Sequence, residues 1–322
     1  MNSNIQYFEV GDFVTENGTN LQDLKIAFHT FGTWNGPNTK VIWVCHALTA
    51  SSDVSEWWAN IFGAGKILDP NKYFIVCANN IGSCYGTNYQ SKQHENELQL
   101  LEKLTIRDQV HCHQLLQKYL KIPKIYLLTG GSQGAQQAME WAIIDPTAIQ
   151  HLILIATNAR HSAWGIAFNE AQRMALENSE NGINTARAIA MLSYRTYTMY
   201  EKTRRFNDSE KIENIIQYQR HQGTKLAERF DRKSYYQLTI AMDSHDVGRG
   251  RNSMEEALAS ITAKTLVIGI SSDLLFPISE QKYLAHCIPH SKISIIRSDY
   301  GHDGFLTEGN KLNRLILNFL AT

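Results

Sequence analysis

Apolar residues are distributed along this chain in two rhythms that take turns. In the first, short runs such as Val41-Ile42-Trp43-Val44-Cys45 and Thr265-Leu266-Val267-Ile268 are continuous rather than alternating. A strand covered on both faces reads this way, because neither side is left to water. The pattern predicts strands over Leu24–Phe31, Val41–Cys45, Tyr73–Ala78, Ile125–Thr129, His151–Ala156, Thr265–Ile270 and Ile293–Arg297. In the second rhythm, apolar positions 112, 115, 116, 119 and 120, and again 135, 138, 139, 142 and 143, keep the spacing of one helix face. The last helix, Asn310–Leu320, gathers Leu312, Leu315, Ile316, Phe319 and Leu320 on one side. Strands alternating with helices predict an α/β fold with a largely parallel sheet covered on both sides.

The alternation stops between about Asn158 and Ile261. There the chain shows polar helical stretches only: Phe168–Asn178, Asn184–Tyr200, Ser209–Arg229 and Ser234–Asp243. A helical block set between two sheet segments predicts a core of residues 1–158 and 262–322, with a cap of 159–261 over the sheet edge where ligands bind.

Composition narrows the class. The chain has 322 residues, 43% of them hydrophobic, enough for a sizeable core. Lys and Arg total 31 and so do Asp and Glu, so the basic excess of a generic nucleic-acid binder is missing. No stretch approaches the ~20 apolar residues of a membrane span. Met1–Asn4 lacks the basic and apolar regions of a signal peptide. The five cysteines (45, 77, 84, 112 and 287) are odd in number and without paired spacing. They read as free thiols of a cytoplasmic protein, with no disulfide frame and no metal site.

The strand Ile125–Thr129 runs into Gly130-Gly131-Ser132-Gln133-Gly134 and then into a helix. This G-x-S-x-G in strand–turn–helix context predicts a serine on a strained turn, its hydroxyl raised above the sheet. The flanking glycines let backbone pass close by, and the helix start behind favours developing negative charge. A serine hydroxyl is a poor nucleophile until an imidazole takes its proton, and the imidazole needs a carboxylate to fix its tautomer. In this arrangement acid and base follow the serine in chain order. Asp273 follows the strand Thr265–Ile270, and His302 lies between Gly301 and Gly304 in the loop after Ile293–Arg297. His46, His245 and His290 are rivals for the base, and Asp299 and Asp246 for the acid. Two backbone N–H groups must hold the oxyanion. Gln133, next after the serine, and Leu48, in the loop after Val41–Cys45, are the candidates.

These residues and several longer segments resemble the homoserine O-acetyltransferases, a branch of the α/β-hydrolase fold. The similar segments are Cys45–Thr49 (CHALT), Asn79–Thr87 (NNIGSCYGT), Thr105–Asp108 (TIRD), Gly130–Trp141 (GGSQGAQQAMEW), Ala186–Ala190 with Tyr194-Arg195, Asp243–Arg249 (DSHDVGR), Ser272-Asp273 with Phe276-Pro277, and Gly301–Asp303. They extend over nearly the whole chain. The resemblance implies a ping-pong transfer in methionine biosynthesis. Ser132 takes acetyl from acetyl-CoA as co-substrate, with no bound cofactor, and the hydroxyl of homoserine, deprotonated by His302, collects it. It also implies that Arg187 clasps the acceptor carboxylate with help from Tyr194, that Asp303 pairs with the ammonium, and that the subunits form a homodimer through the helical block. Trp57-Trp58 is a candidate for lining the tunnel or for packing. The chain departs from the family pattern at Gln133, where Met is usual, at Ala135 and Ala50, where Gly is common, and in a shorter tract between Trp164 and Arg187. These departures leave serine as acceptor, succinyl as acyl group, or a carboxylester hydrolase with the same triad as alternatives. From another class, a binding protein with little turnover has no need of the intact serine, acid and histidine.

Overall fold

Both faces of the sheet are covered, which is why its inner strands are apolar throughout. The computed structural model describes residues 4–90, 98–203 and 208–322; the side chains of 203 and 208–211 lie outside that description, as do the first three residues of Met1–Asn4, the segment of the signal-peptide expectation. Among the described residues the strands are β1 (Gln6–Val14), β2 (Asn20–Phe31), β3 (Val41–Cys45), β4 (Phe74–Ala78), β5 (Asn88–Gln90), β6 (Ile125–Gly131), β7 (Ile149–Ile155), β8 (Lys264–Ile270) and β9 (Ser291–Ile296). They form one sheet in the order β1-β2-β4-β3-β6-β7-β8-β9, with β5 beside β2. From β4 to β9 every pairing is parallel. β1, β2 and β5 pair antiparallel at one end.

The side chains of β3 divide between two cores. Val41, Trp43 and Cys45 join Leu116, Met139 and Trp141 on one face. Ile42 and Val44 join Trp58, Ile153, Ile316 and Phe319 on the other. The helices Ile106–Tyr119 and Gln133–Ile144 cover the first face, and Gly309–Leu320 the second. The segment Thr105–Asp108 is a capping box. The Thr105 hydroxyl accepts from the Asp108 N–H at 3.1 Å, and Asp108 accepts from the Thr105 N–H at 2.9 Å.

Three features depart from the sequence reading. β1 and β5 were not expected. β1 is an edge strand of mixed exposure whose register shifts on both sides of Gly11 (φ 84°), so no clean period-two pattern survives. The expected helix Asn184–Tyr200 is two helices, Gly182–Tyr194 and Tyr197–Thr203. The break carries no Gly or Pro; instead the Thr196 hydroxyl caps the second helix by accepting from the Met199 N–H at 3.0 Å. Short helices at Val54–Trp57, Met254–Ala259 and Ile278–Cys287 also escaped the periodicity argument.

Between β7 and β8 the described elements are helices: Ala163–Asn178, Gly182–Tyr194, Tyr197–Thr203, Asp208–Ala227, Arg232–Asp243 and Met254–Ala259. An antiparallel bridge between Arg160 and Asp246 joins the two ends of this block. The block has its own apolar centre of Leu176, Ile183, Leu226, Tyr235 and Leu238, and Leu48 from the loop after β3 packs into it. No helix among the described residues is long and apolar enough to cross a membrane.

Candidate active site

β6 ends in two glycines and turns sharply into the helix Gln133–Ile144. At the turn Ser132 has φ 57° and ψ −127°, a conformation that costs a side-chain-bearing residue about 1–3 kcal/mol. Neighbouring bonds hold it there: the Ser132 N–H donates to the Ile155 carbonyl at 2.9 Å, and the Ser132 carbonyl accepts from the Ala135 N–H at 3.0 Å. Gly134 is demanded by close approach, because a Cβ on it would lie 2.1 Å from the Cys45 carbonyl oxygen.

Opposite the serine, His302 Nε2 lies 2.9 Å from Ser132 Oγ. His302 Nδ1 lies 2.7 Å from Asp273 Oδ2. The other carboxylate oxygen, Oδ1, accepts from the backbone N–H groups of Leu275 (2.8 Å) and Phe276 (2.9 Å), which fixes the plane of the acid. With Asp273 ionised, Nδ1 carries the imidazole proton and Nε2 is left to accept from the serine hydroxyl. The rings of Phe276, Phe305 and Tyr194 surround the imidazole, with centroids 5.1, 5.3 and 5.5 Å away. Trp58 is wholly buried and ties this loop down by donating from its indole N–H to the Phe305 carbonyl at 2.9 Å.

The rivals lie elsewhere. His46 is buried, its pKa is pushed down by desolvation to about 4, and its Nε2 accepts from the Asn80 N–H at 3.0 Å. His245 is likewise pushed down by burial to about 4, and its Nε2 lies 2.9 Å from the Asn158 carbonyl. His290 sits in the turn before β9 with φ 54°. Asp299 pairs with Lys202 at 2.7 Å, and Asp246 with Arg160 at 2.7 Å.

Leu48 and Gln133 are both buried beside the serine. Among the described residues neither backbone N–H meets a protein acceptor. For Gln133 the reason is its place as first residue of a helix, where no carbonyl of the helix lies behind it. The Gln133 side chain donates to the Leu238 carbonyl at 3.1 Å and so ties the turn to the helical block.

A cavity of about 530 Å³ opens above Ser132 and His302, and its walls bring together Leu48, Trp57, Arg187, Tyr194 and Asp303. A larger hollow of about 1030 Å³ by Cys84, Tyr89 and Gln237 touches none of the candidate site residues. Arg187 stands 5.4 Å from the centre of the Tyr194 ring and has no carboxylate partner among the described residues. Burial raises the Tyr194 hydroxyl pKa, while the Arg187 charge opposes that rise. Asp303 is buried and sits 2.7 Å from Arg195 Nε, an ion pair that the sequence reading did not contain. Arg195 caps the helix bearing Arg187, and nothing in the local pattern linked it to a residue 108 positions later. Trp57 and Trp58 stack at 4.8 Å, but only Trp57 reaches the cavity. Lys225 and Arg229, also on the wall, carry no local sequence signal that sets them apart from other charges of a polar helix. Among the described residues no group of three or more His, Cys, Asp or Glu side chains is placed to hold a metal ion.

Residues 40–309 match the family model of the alpha/beta hydrolase fold. The homoserine O-acetyltransferase of Chlorobium chlorochromatii (strain CaD3) is 38% identical over 333 aligned residues, covering 96% of this chain and 92% of that protein. The homoserine O-acetyltransferase of Chlorobaculum parvum is 39% identical over 328, covering 95% and 92%. The chain belongs to the homoserine O-acetyltransferase family. A crystal structure of homoserine O-acetyltransferase from Staphylococcus aureus superimposes with a TM-score of 0.87 at 30% identity, over all of this chain and 96% of that one. Two of the segments that resemble homoserine O-acetyltransferases lie away from the cavity. Arg107, in Thr105–Asp108, holds Glu140 at 2.8 Å, and Asp246, in Asp243–Arg249, holds Arg160. Arg107 also donates to the Arg249 carbonyl at 2.5 Å, which ties the end of the helical block to a helix that covers the sheet.

Proposed function

We propose that this chain is a homoserine O-acetyltransferase that moves acetyl from acetyl-CoA to the hydroxyl of L-homoserine through an acyl-Ser132 intermediate. The observation that carries the reading is an aligned Ser132–His302–Asp273 chain beneath a cavity holding Arg187, which has no carboxylate partner among the described residues. His302 takes the Ser132 proton as Oγ attacks the thioester carbonyl. The Leu48 and Gln133 N–H groups hold the resulting oxyanion. Collapse breaks the carbon–sulfur bond, and the His302 proton leaves with the thiolate. His302 then takes the proton of the homoserine hydroxyl, whose oxygen attacks the acyl-serine. A second collapse releases the ester and returns the proton to Ser132.

The acceptor is a zwitterion, and the cavity has a wall for each charge. Arg187, steadied over Tyr194, serves as the two-pronged donor to the carboxylate. Asp303 offers the ammonium the oxygen that Arg195 does not occupy. Residues 159–261 act as a cap that carries the carboxylate clasp and keeps water from the acyl-enzyme. No bound cofactor is needed for these steps. The five free thiols fit a cytoplasmic setting.

Two copies pair through the outer face of the cap, where Tyr197 is 81% and Ile212 66% exposed. Of the neighbouring apolar residues, Tyr194 turns inward to His302 and Met199 is buried, so neither contributes. The test of function is turnover: acetyl-CoA with L-homoserine gives O-acetylhomoserine and CoA in equal amounts, faster than succinyl-CoA or L-serine in their place. Equal rates with water alone contradict the reading.

A further inference from the structure

The catalytic cavity has a cationic mouth that neither the serine chemistry nor a small zwitterion accounts for. At the carboxyl end of the helix Asp208–Ala227 and the turn beyond it, Lys225 and Arg229 line the same cavity as Ser132. They are four residues apart. The turn stays helical between them, with the Glu228 N–H bonded to the Thr224 carbonyl at 3.0 Å. Both are exposed. Arg229 Nη1 crosses to the sheet side, donating to the Thr49 carbonyl and the Tyr85 hydroxyl, each at 2.6 Å. Its remaining N–H groups have no protein partner among the described residues. Lys225 makes no ion pair or hydrogen bond among the described residues. Of the acids on the wall, Asp303 is already paired with Arg195, which leaves Glu56 alone against Lys225, Arg229 and Arg187. A pocket that took only an acetyl ester and an amino acid needs no such excess. It also needs less room than about 530 Å³.

We propose that Lys225 and Arg229 form a phosphate-binding rim that takes the nucleotide phosphates of the acyl-CoA donor at the mouth, while the thioester end reaches Ser132. This rests on the acetyl transfer proposed above. Arg229, pinned between the cap and the Ser132-side loop, supplies a fixed planar donor, and Lys225 a mobile point charge beside it. The excess positive field also draws the anionic donor in at a rate that salt suppresses.

The experiment compares acetyl-CoA with acetyl-pantetheine, which has the same thioester and arm but no phosphate, at low and high ionic strength. Wild type is expected to prefer acetyl-CoA, and salt to erode that preference alone. Lys225→Glu is expected to raise KM for acetyl-CoA about tenfold with kcat unchanged, and to leave acetyl-pantetheine untouched. Lys225→Glu is the first variant because the residue makes no ion pair or hydrogen bond among the described residues; Arg229→Gln then extends the test to the pinned partner. Equal use of both thioesters by wild type, or equal losses with both in Lys225→Glu, overturns the rim while leaving acetyl transfer standing. Failure of wild type with both thioesters overturns the transfer itself, and the rim with it.

Discussion

The two halves of the cavity wall are held by different means. On the sheet side, Ser132, His302 and Asp273 are fixed by backbone: a strained turn closed by Gly134, a loop tied through Trp58, and an acid held by two N–H groups. On the cap side, Arg187 and Tyr194 project from a helix, steadied by a cation–ring contact and by the Arg195–Asp303 pair. The difference separates tasks. Bond making needs sub-ångström placement, which short backbone-anchored turns supply. In the proposed transfer, acceptor choice needs charge and shape, which we assign to these helix-borne side chains.

The largest effect tests the sheet side. Ser132→Ala is expected to lower acyl transfer by roughly a million-fold while unfolding at nearly the wild-type temperature. Retention of more than about a tenth of the activity removes Ser132 from the mechanism. The next effect tests the cap side. Arg187→Leu is expected to leave CoA release from the donor nearly unchanged and to cut transfer to homoserine about a hundredfold, the loss of a charge-assisted bidentate pair. The acyl-enzyme then drains slowly to water. A parallel fall in both rates shows that Arg187 does not act on the acceptor alone.

A smaller effect concerns acid stability, with one buried histidine on each side. His46 and His245 are held neutral by burial, with pKa values pushed down to about 4. The unfolded chain takes up protons from about pH 6.5 downward while the folded one does not, so stability falls as pH drops from about 6.5 to about 4. The loss is about 1.4 kcal/mol per pH unit for each histidine that stays neutral. Urea unfolding at pH 7 and pH 5 measures it, and His46→Gln is expected to flatten the dependence. An unchanged slope contradicts the assignment. The smallest effect concerns the outer cap. Ile212→Glu is expected to shift sedimentation from a dimer toward the 36.6 kDa chain without altering the acylation rate. Wild type sedimenting as a monomer removes the cap interface.

The same division governs what the sequence discloses. Strands β3, β6 and β8 were legible because burial on both faces makes them continuous apolar runs. The serine turn was legible because its glycines are demanded locally. Thr196 carried a local signal too, as a hydroxyl residue three before the N–H it caps, but the apolar periodicity ran through it. β1 was hidden by its exposure and the shift at Gly11. The Arg195–Asp303 pair and the reach of Arg229 to Thr49 and Tyr85 depend on distant segments meeting in space, which no spacing rule encodes.

The central claim is that backbone-fixed Ser132 carries the acyl group and the cap selects who collects it. Intact-protein mass spectrometry after mixing with acetyl-CoA alone tests both parts. The account predicts one acetyl adduct, absent in Ser132→Ala, that L-homoserine discharges far faster than buffer does. No adduct, an adduct that survives in Ser132→Ala, or discharge at the same rate with and without homoserine would contradict it.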